Sequence, residues 1–189
     1  MRPTPPIVLA SASPRRRQLL GAAGLVIHVQ PTDIDETPGT DEGPAALVLR
    51  LAREKAAACS AVDSIVVAAD TTVALDDEIL NKPVDDDDAR RMLRKLSGRR
   101  HAAFTGWCVR DTRDGHVDIG VVETGVTFRA LSDDDIEGWI ATGEHRDKAG
   151  AYGIQSSAVL VDRVDGSLTN VIGLPMSEVL AAIRARLSA

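Results

Sequence analysis

No stretch of the sequence approaches the roughly 20 consecutive apolar residues of a membrane-spanning helix, so no membrane attachment is expected. The N-terminal segment Pro5-Pro6-Ile7-Val8-Leu9-Ala10-Ser11-Ala12-Ser13 has small residues of the cleavage-site kind. Its apolar run is shorter than the roughly 7–15 residues of a signal peptide, so it is not read as one. Cysteine is scarce: Cys59 and Cys108 match neither a metal-ligand spacing nor a disulfide framework, which leaves two free core thiols and a reducing cytoplasm. Basic excess is absent too. A formal charge of −6 argues against broad nucleic-acid binding, which rests on neutralising phosphates with a basic face, although a few local cations could still hold a small anion. Repeats, low-complexity segments and linkers are also missing. The 189 residues, 44% hydrophobic and 26% charged, are therefore expected to form one domain over 1–189 with a sizeable core.

What is present is organised around Ile65-Val66-Val67-Ala68-Ala69-Asp70-Thr71-Thr72-Val73-Ala74-Leu75. An unbroken apolar run rich in β-branched residues suits a strand buried on both faces, and such a strand cannot end on an ionised Asp without a partner, a metal or an opening to solvent. Asp70 is thus either a strand-end residue that caps a turn or a working carboxylate at an exit from the core. After it, Asp76-Asp77 reads as a two-residue turn and Glu78 to Leu80 as a return strand, which brings Lys82 of Asn81-Lys82-Pro83 back near Asp70.

Upstream, Ile7 to Ala10 reads as a short strand and Ser13-Pro14 as a helix start, with Ser as N-cap and Pro in the first turn, continuing to a stop at Gly24. Arg15, Arg16 and Arg17 in that first turn oppose the helix dipole. Together with the Ser11 and Ser13 hydroxyls and the backbone N–H groups, Arg15 and Arg16 make an anion pocket suited to phosphate; the alternative is a solvated basic face. Leu25 to Val29 reads as a second strand. The loop from Pro31 to Gly39 carries Asp33, Asp35 and Glu36, which are either metal ligands or simply solvated. From Pro44 to about Cys59 the apolar period is helical and places Lys55 on the apolar stripe, where it snorkels or points its charge into a cleft. Arg50 and Glu54 are set to pair at i, i+4.

The acidic run Asp85 to Asp88 opens a helix whose basic residues come last, and the dipole accounts for it without calcium. His101 to Val109 and Asp118 to Ala130 read as a long antiparallel hairpin, with His101 and His116 at surface or edge positions. Ser132 starts a helix that ends at Gly143 and carries Trp139 into the core. Asp147-Lys148-Ala149-Gly150-Ala151-Tyr152-Gly153-Ile154-Gln155 is a glycine loop through which backbone can approach a ligand, with Lys148 and Gln155 as polar contacts. Ala158 to Val161 and Leu168 to Ile172 read as a final hairpin before a terminal helix, Met176 to Leu187. Interleaved strands and helices with hairpins predict an α/β fold on a mixed sheet. The cations Arg15, Arg16, Lys55, Lys82 and Lys148 with the carboxylates Glu36 and Asp70 predict hydrolysis of a phosphate ester or anhydride.

Several blocks, taken together, resemble the Maf family: Ser11-Ala12-Ser13-Pro14-Arg15-Arg16, Arg53-Glu54-Lys55, Ala69-Asp70-Thr71-Thr72-Val73 through Asn81-Lys82-Pro83, Lys95-Leu96-Ser97-Gly98, Lys148 through Gln155, and Val171-Ile172-Gly173-Leu174-Pro175. They cover nearly the whole chain in order. The resemblance implies a nucleoside triphosphate pyrophosphatase on a largely antiparallel, elongated mixed α/β sheet flanked by helices, similar to inosine triphosphate pyrophosphatases. It implies a divalent cation, Asp70 as proton acceptor, and a homodimer. The mechanism expected from these residues puts Mg2+ or Mn2+ near Glu36 and Asp70, with Lys55 and Lys82 stabilising charge on the phosphates. Arg15, Thr71 and Gln155 stand where the dTTP/UTP-type subgroup carries specificity residues; the 7-methyl-GTP-type has an aromatic and an acidic residue at the positions of Arg15 and Gln155. The alternatives are a same-family enzyme for another nucleotide and a non-catalytic regulator of septum formation.

Overall fold

A computed structural model describes residues 4–76 and 78–188. Along the chain come β1 (Ile7–Leu9), α1 (Pro14–Ala22), β2 (Ile27–Val29), α2 (Pro44–Ala58), β3 (Ile65–Leu75), β4 (Glu78–Leu80), α3 (Asp86–Leu96), β5 (Arg100–Asp111), β6 (Val117–Phe128), α4 (Asp133–Ala141), β7 (Val161–Asp165), α5 (Leu168–Ile172) and α6 (Met176–Leu187). The strands form one sheet in the order β2-β1-β3-β5-β6-β7, with β4 also paired to β3. β1 is parallel to β2 and β3, and every other pairing is antiparallel. The fold is the mixed α/β sheet that the alternation of elements predicts, largely antiparallel as the resemblance implies.

Local signals account for most helix starts. Ser13 accepts from the Arg16 N–H and Pro14 fills the first turn of α1; Asp85 accepts from the Asp88 N–H to start α3; Ser132 and Asp135 form a reciprocal capping box at α4. Each such cap contributes on the order of 1 kcal/mol. Gly24 follows α1 at φ +79°, a left-handed position that glycine takes without strain, and the second strand is confined to Ile27–Val29 rather than beginning at Leu25. Asp77 of the expected turn lies outside the described residues.

β3 positions the site by the way its two edges are used. β5 pairs along one edge from Ile65 to Ala74. The other edge is shared: β1 pairs with Ile65–Val67 and β4 with Val73–Leu75. Between them Ala68–Thr72 have no strand partner on that edge among the described residues, and the loops leaving β1 and β4 close around the gap. The strand's two faces are buried against different helices. Ile65, Val67 and Ala69 pack with Leu174, Val179 and Ile183 of the C-terminal region, while Val66 and Ala68 pack with Ala52 and Ala56 of α2. A third cluster, around Leu93, Phe128, Ile136 and Trp139, lies under α3 and α4. Each fully buried Val, Leu or Ile contributes about 1.5–3 kcal/mol.

Two expectations are corrected. Ala158–Leu160 is a short 3-10 turn, and the strand after it, β7, pairs with β6; Leu168–Ile172 is not its hairpin mate but helix α5. Ser167 caps the Asn170 N–H and Gly173, at φ +126°, ends the segment, so capping overrides the strand preference of Val171-Ile172. His101 is not at the surface: it is 3% exposed, because β5 is an interior strand of the sheet. Cys59 and Cys108 are buried and unpaired, and burial pushes the Cys108 thiol up to about 11, which keeps it protonated and inert.

Gly106 lies opposite Asp70 in the β3–β5 register. A Cβ there would fall 2.0 Å from the backbone oxygen of Val48, so only glycine lets α2 approach the sheet this closely. Gly106→Ala is expected to cost about 3 kcal/mol or more by overpacking against backbone, read by urea unfolding. Gly138→Ala on exposed α4, where a Cβ would meet nothing within 4 Å, is expected to stabilise by about 0.5–1 kcal/mol in the same measurement.

Candidate active site

The gap along β3 opens into a cleft of about 580 Å³. Ser11, Ser13, Arg15, Arg16, Glu36, Lys55, Asp70, Thr71, Lys82, Lys148 and Gln155, drawn from six separate stretches of chain, all line it. Alternation along β3 sends consecutive side chains to opposite faces. Asp70 points toward α2 and Thr71 away from it.

On the α2 side, Lys55 is only 8% exposed, and its Nζ lies 2.6 Å from Asp70 Oδ1 and 2.6 Å from Glu36 Oε1. α2 delivers this ammonium because Val48, Leu51, Ala52 and Lys55 share one stripe, pressed onto the sheet at Gly106. A desolvated ammonium needs opposite charge at contact distance, and two carboxylates supply it. Burial works to raise the Glu36 carboxyl, but the hydrogen bond from Lys55 and the charges of Lys55, Lys82 and Arg16 outweigh it and hold Glu36 below its ordinary value.

On the other side, Arg16 donates from Nε to the Gly173 carbonyl at 2.8 Å, from Nη1 to Ser11 Oγ at 3.0 Å and from Nη2 to Thr71 Oγ1 at 3.1 Å. Burial lowers its pKa, with Asp70 opposing that shift. Arg15 reaches Asp147 at 3.5 Å, and Lys148 is tied to Asp147 at 2.8 Å and to Glu144 at 3.3 Å. Asp147 lines the cleft and was not singled out from sequence, where it is one acidic loop residue among many; its signal is adjacency to Lys148. A Cβ at Gly153 would lie 2.6 Å from Lys148 Cδ, so glycine there makes room for the lysine stem.

Tyr152 also lines the cleft, and His101 holds it from behind: His101 Nε2 and the Tyr152 hydroxyl are 2.7 Å apart, with Phe128 edge-on to both rings. Sequence reasoning missed both, since a histidine on a strand reports nothing about which strand is central.

Could the site hold a divalent metal? Glu36 and Asp70 converge on one cation, the Lys55 ammonium, and two hard carboxylates suit Mg2+ or Mn2+ when phosphate oxygens complete the shell. No group of three or more metal-ligating side chains occurs among the described residues.

The model of the Maf-like protein family matches residues 6–186. The chain belongs to that family. Among its curated relatives, the dTTP/UTP pyrophosphatase of Anaeromyxobacter dehalogenans (strain 2CP-C) is 51% identical over 183 residues, covering 95% of this chain and 93% of the relative. That of Geobacter sulfurreducens is 51% identical over 182 residues, covering 94% and 95%. That of Sphingopyxis alaskensis is 47% identical over 182 residues, covering 95% of both. The solved structure of a HAM1 protein from Coxiella burnetii is similar at 16% identity and a TM-score of 0.45, covering 97% of this chain and 98% of that one, a likeness too weak to argue from.

Burial of His101 gives this family member a pH dependence of stability. Burial lowers the His101 pKa from 6.5 to about 4, so the folded state keeps the ring neutral where the unfolded chain takes up a proton. The sign follows: stability is fully present above pH 6.5 and is lost as pH falls toward 4. Urea unfolding at pH 7 and pH 4.5 is expected to show about 2–3 kcal/mol more loss in the native chain than in His101→Gln. Equal slopes in the two would refute the assignment.

Proposed function

We propose that this chain is a nucleoside triphosphate pyrophosphatase that hydrolyses dTTP and UTP to the monophosphate and pyrophosphate. The observation that carries the reading is the Lys55 ammonium clasped by Asp70 and Glu36 at the floor of a cation-lined cleft, in a chain about 50% identical to proteins named for that reaction.

Asp70 engages Lys55 through Oδ1. Oδ2 has no hydrogen-bond donor among the described residues, and it is the oxygen that takes the proton of the attacking water. Lys55 holds Asp70 in one orientation through that contact. Arg16 and Lys82 meet the negative charge of the phosphates, where fixed cations act with little reorganisation during the reaction. Glu36 and Asp70 would hold Mg2+ or Mn2+, which supplies charge neutralisation on the phosphates. Arg15, Thr71 and Gln155 lie at the cleft and are assigned to recognition of the base.

Further parts of the same reading are one domain over 1–189, a homodimer, cytoplasmic residence, and the absence of nucleic-acid and membrane partners. Two buried free thiols and a net charge of −6 favour the cytoplasmic and nucleic-acid parts. No helix among the described residues is long and apolar enough to cross a membrane.

Pyrophosphate release from a panel of triphosphates with added Mg2+ or Mn2+ tests this. Turnover of dTTP and UTP is expected to exceed that of purine triphosphates and to vanish on chelation. Asp70→Asn is expected to lose about a thousandfold in kcat while still folding. Near-native turnover in that variant would remove Asp70 from the role of base.

A further inference from the structure

Behind the cleft, on the face of the sheet opposite Lys55, a continuous line of hydroxyl and amide groups runs away from Arg16. Arg16 Nη2 donates to Thr71 Oγ1, which lies 3.0 Å from Thr105 Oγ1; Thr105 in turn reaches the Asn170 carbonyl oxygen at 2.9 Å. Asn170 Nδ2 donates to the Ala103 carbonyl at 3.1 Å and to Thr124 Oγ1 at 3.0 Å. Thr105 and Asn170 are each 0% exposed, and neither lines the cleft. Thr71 and Thr105 are direct cross-strand partners, which is why their hydroxyls meet.

Proton counting gives this line a direction. A hydroxyl has one hydrogen, and a carbonyl can only accept. Thr105 therefore spends its proton on Asn170 and is left to accept from Thr71. Thr71, its proton committed to Thr105, accepts from Arg16. The opposite polarity would send the Thr71 proton to the Gly173 carbonyl at 3.4 Å, a longer contact to an oxygen that Arg16 Nε already occupies. The guanidinium then has three of its five N–H groups fixed on Gly173, Ser11 and Thr71, one from each nitrogen. Two remain, one on each terminal nitrogen, the pairing suited to bidentate contact with phosphate oxygens.

We infer that Thr105 is a positioning residue: acting through Thr71, it fixes the plane of the Arg16 guanidinium for the phosphates of the substrate, with Asn170 anchoring the far end. This rests on the pyrophosphatase reading for the identity of the ligand, and deepens it by naming a residue that touches no ligand. It also explains why β5 carries a fully buried hydroxyl at Thr105, where valine would suit the backbone equally well.

Thr105→Val tests the inference cleanly. The shape is kept, the Asn170 carbonyl retains the Gly173 N–H at 2.9 Å, and Thr71 retains Gly173 as a weaker acceptor, so no buried group is stranded. Two readouts are used: steady-state kinetics on dTTP, and calorimetric binding of inorganic tripolyphosphate, which needs no turnover. Thr105→Val is expected to weaken tripolyphosphate binding and to raise the KM for dTTP by about tenfold, with kcat changed far less, the loss of one charge-assisted hydrogen-bond geometry. Thr105→Ser, which keeps the hydroxyl, is expected to return both to within about twofold. On an Arg16→Lys background Thr105→Val is expected to add almost nothing, since its effect travels through the guanidinium.

Unchanged tripolyphosphate affinity in Thr105→Val, or an equal further loss on the Arg16→Lys background, overturns the inference. So does a native chain that binds no tripolyphosphate. A native chain that binds it but hydrolyses no triphosphate defeats the pyrophosphatase reading, while the binding arm still decides whether Thr105 positions Arg16.

Discussion

A lysine ammonium held at 2.6 Å from two carboxylates, and almost removed from solvent, is the constraint around which this molecule is built. Removing an ammonium from water costs several kcal/mol before its partners offset it, and a well-packed apolar substitute is often as stable. The contact is therefore poor value as a device for stability, and its geometry has to be explained by use. Much of the fold serves to make it. β3 is buried on both faces up to Ala69, α2 is drawn onto the sheet by the missing side chain at Gly106, and Lys55 lies on the same stripe as Val48, whose carbonyl makes that approach. Glu36 comes from an exposed loop and completes the clasp from outside.

One strand supplies two kinds of environment because its residues alternate. The Asp70 face meets α2 and carries opposite charges within contact distance. The Thr71 face meets β5 and the α5 segment and carries neutral hydroxyls, carbonyls and a single guanidinium. The first face is suited to moving a proton, the second to holding a shape. Placing them on neighbouring residues keeps the Asp70 carboxylate and the Thr71 hydroxyl that Arg16 grips in fixed register without any flexible connection.

How much of this could be read from the chain depends on how local the cause is. Ser13, Asp85 and Ser132 each act on an N–H group three residues away, and each starts the helix it predicts. The apolar run into Asp70 was legible because burial on both faces leaves a direct trace in composition. Leu168–Ile172 was misread because Val171-Ile172 looks like strand, while the decisive partner was the serine just before the segment. His101 was misread because its burial depends on β5 lying between β3 and β6, a fact about sheet order that no window around His101 contains. The candidate site residues were named from sequence, but their pairings were not. That Arg15 reaches Asp147 and Arg16 reaches the Gly173 carbonyl are consequences of packing between segments more than a hundred residues apart, which no local window contains.

Charge distribution supplies the last step. The chain as a whole carries −6, yet the cleft is lined by five cations, Arg15, Arg16, Lys55, Lys82 and Lys148, against the three carboxylates Glu36, Asp70 and Asp147. Those carboxylates are already taken up: Glu36 and Asp70 by Lys55, Asp147 by Arg15 and Lys148. Among the described residues, neither Arg16 nor Lys82 forms an ion pair. An incoming polyphosphate thus meets two cations that need not first release a carboxylate, one fixed by three hydrogen bonds and the other on an exposed turn after β4. A guanidinium held by three hydrogen bonds favours one phosphate geometry, whereas the Lys82 ammonium, exposed on its long stem, is not held to one position by an ion pair. Asp70 faces the same gap as both, which places the group able to take a proton where bound negative charge is already neutralised.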